Sequence, residues 1–95
     1  MSYLWSFQWP EATGEITAVG IERNDRVTRL AVAYKFWVND DGPYTGESFW
    51  NPPFNVNRRV QEARRKIRVG HPVLIRYRDD DPSVNRLDGS VWREL

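Results

Sequence analysis

The chain is 95 residues long, 40% hydrophobic and 28% charged, which fits one small folded domain and excludes a disordered tract. It has no cysteine and one histidine, His71, so a disulfide framework, a zinc–thiolate site, a cysteine nucleophile and a histidine-pair metal site are all excluded. A formal net charge of +1 is too small to suggest a wholesale polyanion binder.

Residues 1–10 read as an aromatic N-terminal arm. Tyr3, Trp5, Phe7 and Trp9 share one face at the two-residue period of a strand, and Pro10 keeps any helix there short. The segment has neither the basic lead nor the apolar run of a signal peptide, and no stretch approaches a membrane-spanning helix. The expected location is the cytoplasm for the chain as written, or the cell envelope if it is excised from a longer protein.

Residues 11–50 are expected to hold three strands. The first, Ala12 to Arg23, places Ile16 and Ala18 on one face and Val19 and Ile21 on the other, with Gly20 as the expected bulge between them. Asn24-Asp25 is a turn signal. In the second strand Leu30, Val32, Tyr34, Phe36 and Val38 form an apolar face, opposite Ala31, Ala33, Lys35 and Trp37. Asn39-Asp40-Asp41-Gly42 is a hairpin turn, because Asp and Gly tolerate positive φ. A third strand, Tyr44 to Trp50, pairs back and ends at Asn51-Pro52-Pro53.

The period then changes. Over residues 55–69 Val56, Val60, Ala63 and Ile67 fall at helical spacing, with Asn55 as N-cap and Gly70-His71-Pro72 as the stop. Residues 73–88 carry two more strands, Val73 to Tyr77 and Val84 to Leu87, joined at Asp79-Asp80-Asp81-Pro82, and residues 89–95 form a tail. The order strand, strand, strand, helix, strand, strand predicts a mainly β fold. It fits a small five-stranded antiparallel barrel or half-barrel plugged by its helix, similar to the oligonucleotide/oligosaccharide-binding (OB) barrel. Five tryptophans and a 14% aromatic content supply the core volume that so short a chain needs.

Charge gathers on the helix. Between Val56 and Arg68 there are six basic residues and one acidic, while the remainder has eight basic and twelve acidic. Arg58, Arg65 and Arg68 on the polar helix face are candidate binding residues, for phosphates or an acidic partner. A solvated face paired to acidic loops is the plainer account. Trp37, opposite Tyr34 and Phe36 and beside Lys35, is a candidate for stacking bases, or for cover by the N-terminal arm. The acidic turns lack the ligand spacing of a calcium loop, and His71 has no orienting partner or nucleophile in any motif. No cofactor, metal or catalytic residue is expected.

Several residues resemble a known family. Trp9-Pro10 with Thr13-Gly14-Glu15-Ile16 is similar to the opening of bacterial domains grouped as domain of unknown function 3592. Tyr34-Lys35-Phe36 ahead of Asp41-Gly42-Pro43-Tyr44-Thr45-Gly46 resembles that family's hairpin. Val69-Gly70-His71-Pro72-Val73 and Tyr77 through Asp81-Pro82-Ser83 to Leu87 resemble its closing segment. The likeness spans about Trp9 to Leu87, and departs where Arg78-Asp79 follows the closing tyrosine in place of Asp-Pro. It implies a small β domain without known catalysis, often beside membrane helices. The expected function is a non-catalytic interaction module that binds another protein or itself. The alternative is a nucleic-acid-binding barrel that uses the basic helix.

Overall fold

The computed structural model describes residues 9–24, 27–52 and 57–94. Tyr3, Trp5, Phe7, the Asn55 cap and Val56 lie outside them. Five strands and one helix follow in the expected order: β1 (Glu11–Asn24), β2 (Val27–Val38), β3 (Asp41–Trp50), α1 (Asn57–Lys66), β4 (Pro72–Arg78) and β5 (Asp81–Leu87). The sheet order is β3-β2-β1-β4-β5, every bonded pair antiparallel. β1 is therefore central, and the sheet curls until β3 and β5 meet side by side as a nearly closed barrel.

β2 shows why the sheet curls round a core. Thr28, Leu30, Val32, Tyr34 and Phe36 point inward and are buried, while the residues between them are half-buried or exposed. Phe36 sits at the centre of an aromatic cluster, with ring centroids 6.4 Å from Tyr34, 5.7 Å from Tyr44 and 6.0 Å from Tyr77. The β2–β3 turn needs only Asn39 and Asp40, with φ of 50° and 68°. Positive φ at both central positions is the geometry that matches the twist of the flanking strands. β3 accordingly begins at Asp41, three residues earlier than the expected Tyr44, and β5 at Asp81, three before Val84.

The bulge in β1 is at Thr17, not Gly20. Ile16 pairs with Tyr34 and Ala18 with Ala33, so one extra residue lies between them. That insertion puts Ile16, Val19 and Ile21 on the inner face together and turns Ala18 outward, correcting the expected faces. The core demands it, because an uninterrupted β1 that kept Ile16 inside would turn Val19 and Ile21 out to water.

α1 packs its stripe onto β1 and β2 and plugs one end of the barrel, with Val60, Ala63 and Ile67 buried. It ends at Lys66, short of residue 69. The Ile67 amide still donates to the Ala63 carbonyl at 3.1 Å, but the Gly70 amide donates instead to the Ile16 carbonyl at 2.7 Å. With Gly70 at φ 87° the chain turns straight into the β1–β4 ladder. The expected tail is also structured. Gly89–Glu94 is a 3-10 helix capped by Asp88, whose Oδ1 accepts from the Ser90 amide at 2.9 Å, and its Val91 and Trp92 pack on the core.

Candidate functional site

The barrel closes through side chains rather than a backbone ladder. The Tyr34 hydroxyl donates to Asn85 Oδ1 at 2.6 Å, and Asn85 Nδ2 donates to the carbonyls of Thr45, Pro82 and Ser83 at 3.2, 3.0 and 3.2 Å. One asparagine on β5 thus holds both β2 and β3. Burial pushes ionisation of the Tyr34 phenol up to about 12. β1 and β4 are tied at their outer end by Arg76. It pairs with Glu11 at 2.7 Å and Asp88 at 3.1 Å and donates to the Trp9 carbonyl at 3.0 Å. Asp88 is held below the usual carboxylate range by the Ser90 amide, with Ser90 and Arg76 side chains adding to it. Neither device stands out in the sequence, because Asn85 sits beside turn residues and Arg76 is one arginine of twelve.

The outer face of β1, β2 and β3 has a floor of small residues, Ala18, Gly20, Ala31 and Ala33. Strand alternation puts Val27, Trp37 and Phe49 on this same outer side, all exposed, with Trp37 at 45%. Ion pairs border it. Arg29 grips Glu22 Oε1 through Nε at 3.0 Å and Nη2 at 2.8 Å, and its guanidinium lies 3.8 Å over the Phe49 ring. Lys35 pairs with Glu15 at 3.1 Å and stands 5.5 Å from the Trp37 ring centre. The alternation that singles out Trp37 applies equally to Phe49, which pairs with Ala31.

The basic helix lies at the opposite end of the strands from Trp37. Arg58, Arg65 and Arg68 are exposed, and Arg58 Nε pairs with Glu62 at 3.8 Å. Arg59 lies 5.9 Å over the Trp50 ring, and Trp50 pairs with Leu30, seven residues along β2 from Trp37. That separation is about 23 Å at the rise of a strand. Arg58 and Arg65 therefore stand well away from Trp37, while Arg68 lies nearer the middle of β1, where Gly70 and His71 bond Ile16.

The acidic turns sit at the far pole as well. Arg76 pairs with Glu11 and Phe36 with Gly14, so the C-terminal ends of β4 and β2 share one end of β1. Asp40 and Asp41 lie there with Asp79, Asp80 and Asp81, away from α1. Asp80 is held there by Arg78, at 2.7 and 2.9 Å, which lowers its carboxyl below the usual range. Asp41 accepts from the Tyr44 hydroxyl, and Asp81 Oδ1 from the Ser83 amide and hydroxyl at 3.2 and 2.5 Å. These hairpin carboxylates serve their own turns.

His71 is exposed, and its backbone bridges the Arg68 carbonyl and the Ile16 amide. Among the described residues no group of three His, Cys, Asp or Glu side chains is placed to hold a metal ion. No described helix is long and apolar enough to cross a membrane.

The sequence model of a family described as a domain of unknown function, DUF3592, matches residues 12–92. The chain belongs to the DUF3592 family. The matched span takes in nearly all of the sheet, the helix and the first part of the 3-10 segment. Among curated proteins and among solved structures, nothing matches.

Proposed function

We propose that this DUF3592 domain is a non-catalytic interaction module. It meets a protein surface, another protein's or a second copy's, through the outer face of β1, β2 and β3. The observation that carries the reading is that Val27, Phe49 and Trp37 are all exposed on one sheet face, spaced along it from end to end, with an alanine–glycine floor on the same face. Exposed apolar side chains around a shallow floor, with Arg29–Glu22, Lys35–Glu15 and Glu47 among them, have the make-up of an interface in which apolar anchors alternate with polar groups. The OB-like part of the proposal rests on topology. β1 pairs with both β2 and β4, β3 lies against β5, and the helix falls between β3 and β4. In support of a non-catalytic role, the Tyr34 hydroxyl is pushed away from ionisation and spent on a structural bond to Asn85.

Self-association is the form of this proposal that needs no named partner to test. Sedimentation velocity from micromolar to millimolar protein should show reversible association that Phe49→Glu and Trp37→Glu both abolish. A wild-type chain that stays monomeric throughout, with outer-face amide shifts independent of concentration, would refute that form.

The second reading, nucleic-acid binding, is favoured by the exposed Arg58, Arg65 and Arg68. It must work without Trp37, which stands on another surface. A labelled single-stranded oligonucleotide titrated at low and physiological salt decides it, since phosphate contacts weaken steeply with added salt.

A further inference from the structure

We propose that the cleft between the end of β1 and α1 is an oxyanion site for a phosphate group carrying two or more charges, as in a phosphomonoester or a diphosphate. The cleft has a volume of about 430 Å³ and is lined by Ile21, Arg23, Gln61, Arg64 and Arg65. Three arginines thus line one concavity together with a glutamine and an isoleucine. Two rules of secondary structure put them there. Ile21 and Arg23 sit two residues apart on β1 and point to the same side, toward the helix. Gln61, Arg64 and Arg65 are three and four residues apart on α1 and share its facing side.

What distinguishes these arginines is where the neighbouring acids have gone. Glu22, between Ile21 and Arg23, points outward and is held by Arg29 at 2.8 Å. Glu62, next to Gln61, is held by Arg58 at 3.8 Å. The acidic hairpins stand at the other pole. Among the described residues, no carboxylate pairs with Arg23, Arg64 or Arg65. Three like charges around one hollow repel, and a single multiply charged anion relieves all three contacts at once. Guanidinium suits that ligand, because its planar fork donates two parallel hydrogen bonds to a phosphate and stays charged at any physiological pH. Gln61 adds a neutral donor that would orient the group.

The site is tested on the full chain by isothermal titration with inorganic pyrophosphate, and by flotation with phosphatidylcholine vesicles with or without phosphatidic acid, whose headgroup is a phosphomonoester. The variants are Arg23→Gln and the double Arg64→Gln/Arg65→Gln. Arg58→Gln, on the same helix but outside the cleft, is the charge-matched control for the single variant. We expect saturable one-to-one binding of pyrophosphate, weakened at least tenfold in both cleft variants and within twofold of wild type in Arg58→Gln. Binding to phosphatidic-acid vesicles that pyrophosphate displaces would assign the phosphate to a lipid headgroup. Pyrophosphate binding without vesicle binding would assign it to a free phosphate. Either result supports the site. Absence of binding to both probes, or equal loss in Arg58→Gln, would overturn it. So would tight oligonucleotide binding that survives in the cleft variants, by assigning the basic surface to nucleic acid.

Discussion

Gly46→Ala tests the side-chain seam most directly. Gly46 lies on β3 opposite Tyr34, and a Cβ built there would collide with Asn85 Oδ1 and the Tyr34 hydroxyl and come within 2.6 Å of Tyr34 Cζ. Tyr34 is 1% exposed and tilted against Phe36, so the ring has nowhere to go but along the seam, parting from Asn85. Overpacking of this kind costs about 1–3 kcal/mol. Loss of the Tyr34–Asn85 bond adds about 1 kcal/mol. Restricting the unfolded chain returns about 0.4–1 kcal/mol. The net expectation is a destabilisation of about 1–3.5 kcal/mol, or a melting point lower by roughly 5–25 °C for a domain of this size. Gly20→Ala is the internal control, because a Cβ there meets nothing within 4 Å. It should be neutral or slightly stabilising in the same urea and thermal melts. A Gly46→Ala protein within about 0.5 kcal/mol of wild type would show that β3 and β5 are not held as described.

Four further outcomes follow from the same geometry. Because burial raises the Tyr34 ionisation to about 12, its stabilising share is intact below pH 10 and is lost as pH rises from there toward 12. The loss amounts to roughly 2–3 kcal/mol by pH 12, and Tyr34→Phe should remove that part of the alkaline slope in denaturant melts. Arg76→Ala breaks the ties to Glu11, Asp88 and the Trp9 carbonyl and should cost about 1.5–3 kcal/mol at pH 7 in the same melts. Since Asp88 titrates below its ordinary range, its stabilising share is present above pH 4 and declines as pH falls further, and Asp88→Asn should flatten that acid limb. Gly70→Ala forces a side chain into φ 87° and should cost about 1–2 kcal/mol by thermal melting, with the helix otherwise intact by circular dichroism.

The elements that the sequence makes legible are those in which a single chain segment carries its own pattern. β2 alternates because each of its faces meets a different medium, and α1 carries Val60, Ala63 and Ile67 at helical spacing because one side of it is dry. The bulge at Thr17 has no such signature. It is settled by the register between β1 and β2, and Gly20 attracts attention only because glycine punctuates other bulges. The helix end is similar: Gly70 is visible as a stop, but the Ile16 carbonyl that claims its amide lies on a distant strand. The candidate site was legible as a list of exposed residues and not as a place. Strand direction separates Trp37 from Arg58 and Arg65, and only the β1–α1 packing shows that Arg23 joins Arg64 and Arg65.

The placement of acidic hairpins at one pole and a basic helix at the other makes the molecule an electric dipole hidden behind a net charge of +1. The domain is 39 Å along its longest axis, several times the roughly 8 Å screening length of physiological salt. A charged surface therefore interacts with whichever pole faces it, almost without reference to the other. Near an anionic surface the torque on the dipole turns α1 inward and carries the aspartate hairpins away. At low ionic strength two copies attract head to tail, and modest salt removes that attraction while leaving any contact between their aromatic sheet faces in place. Orientation, rather than affinity, is what the distribution of charge in this barrel controls first.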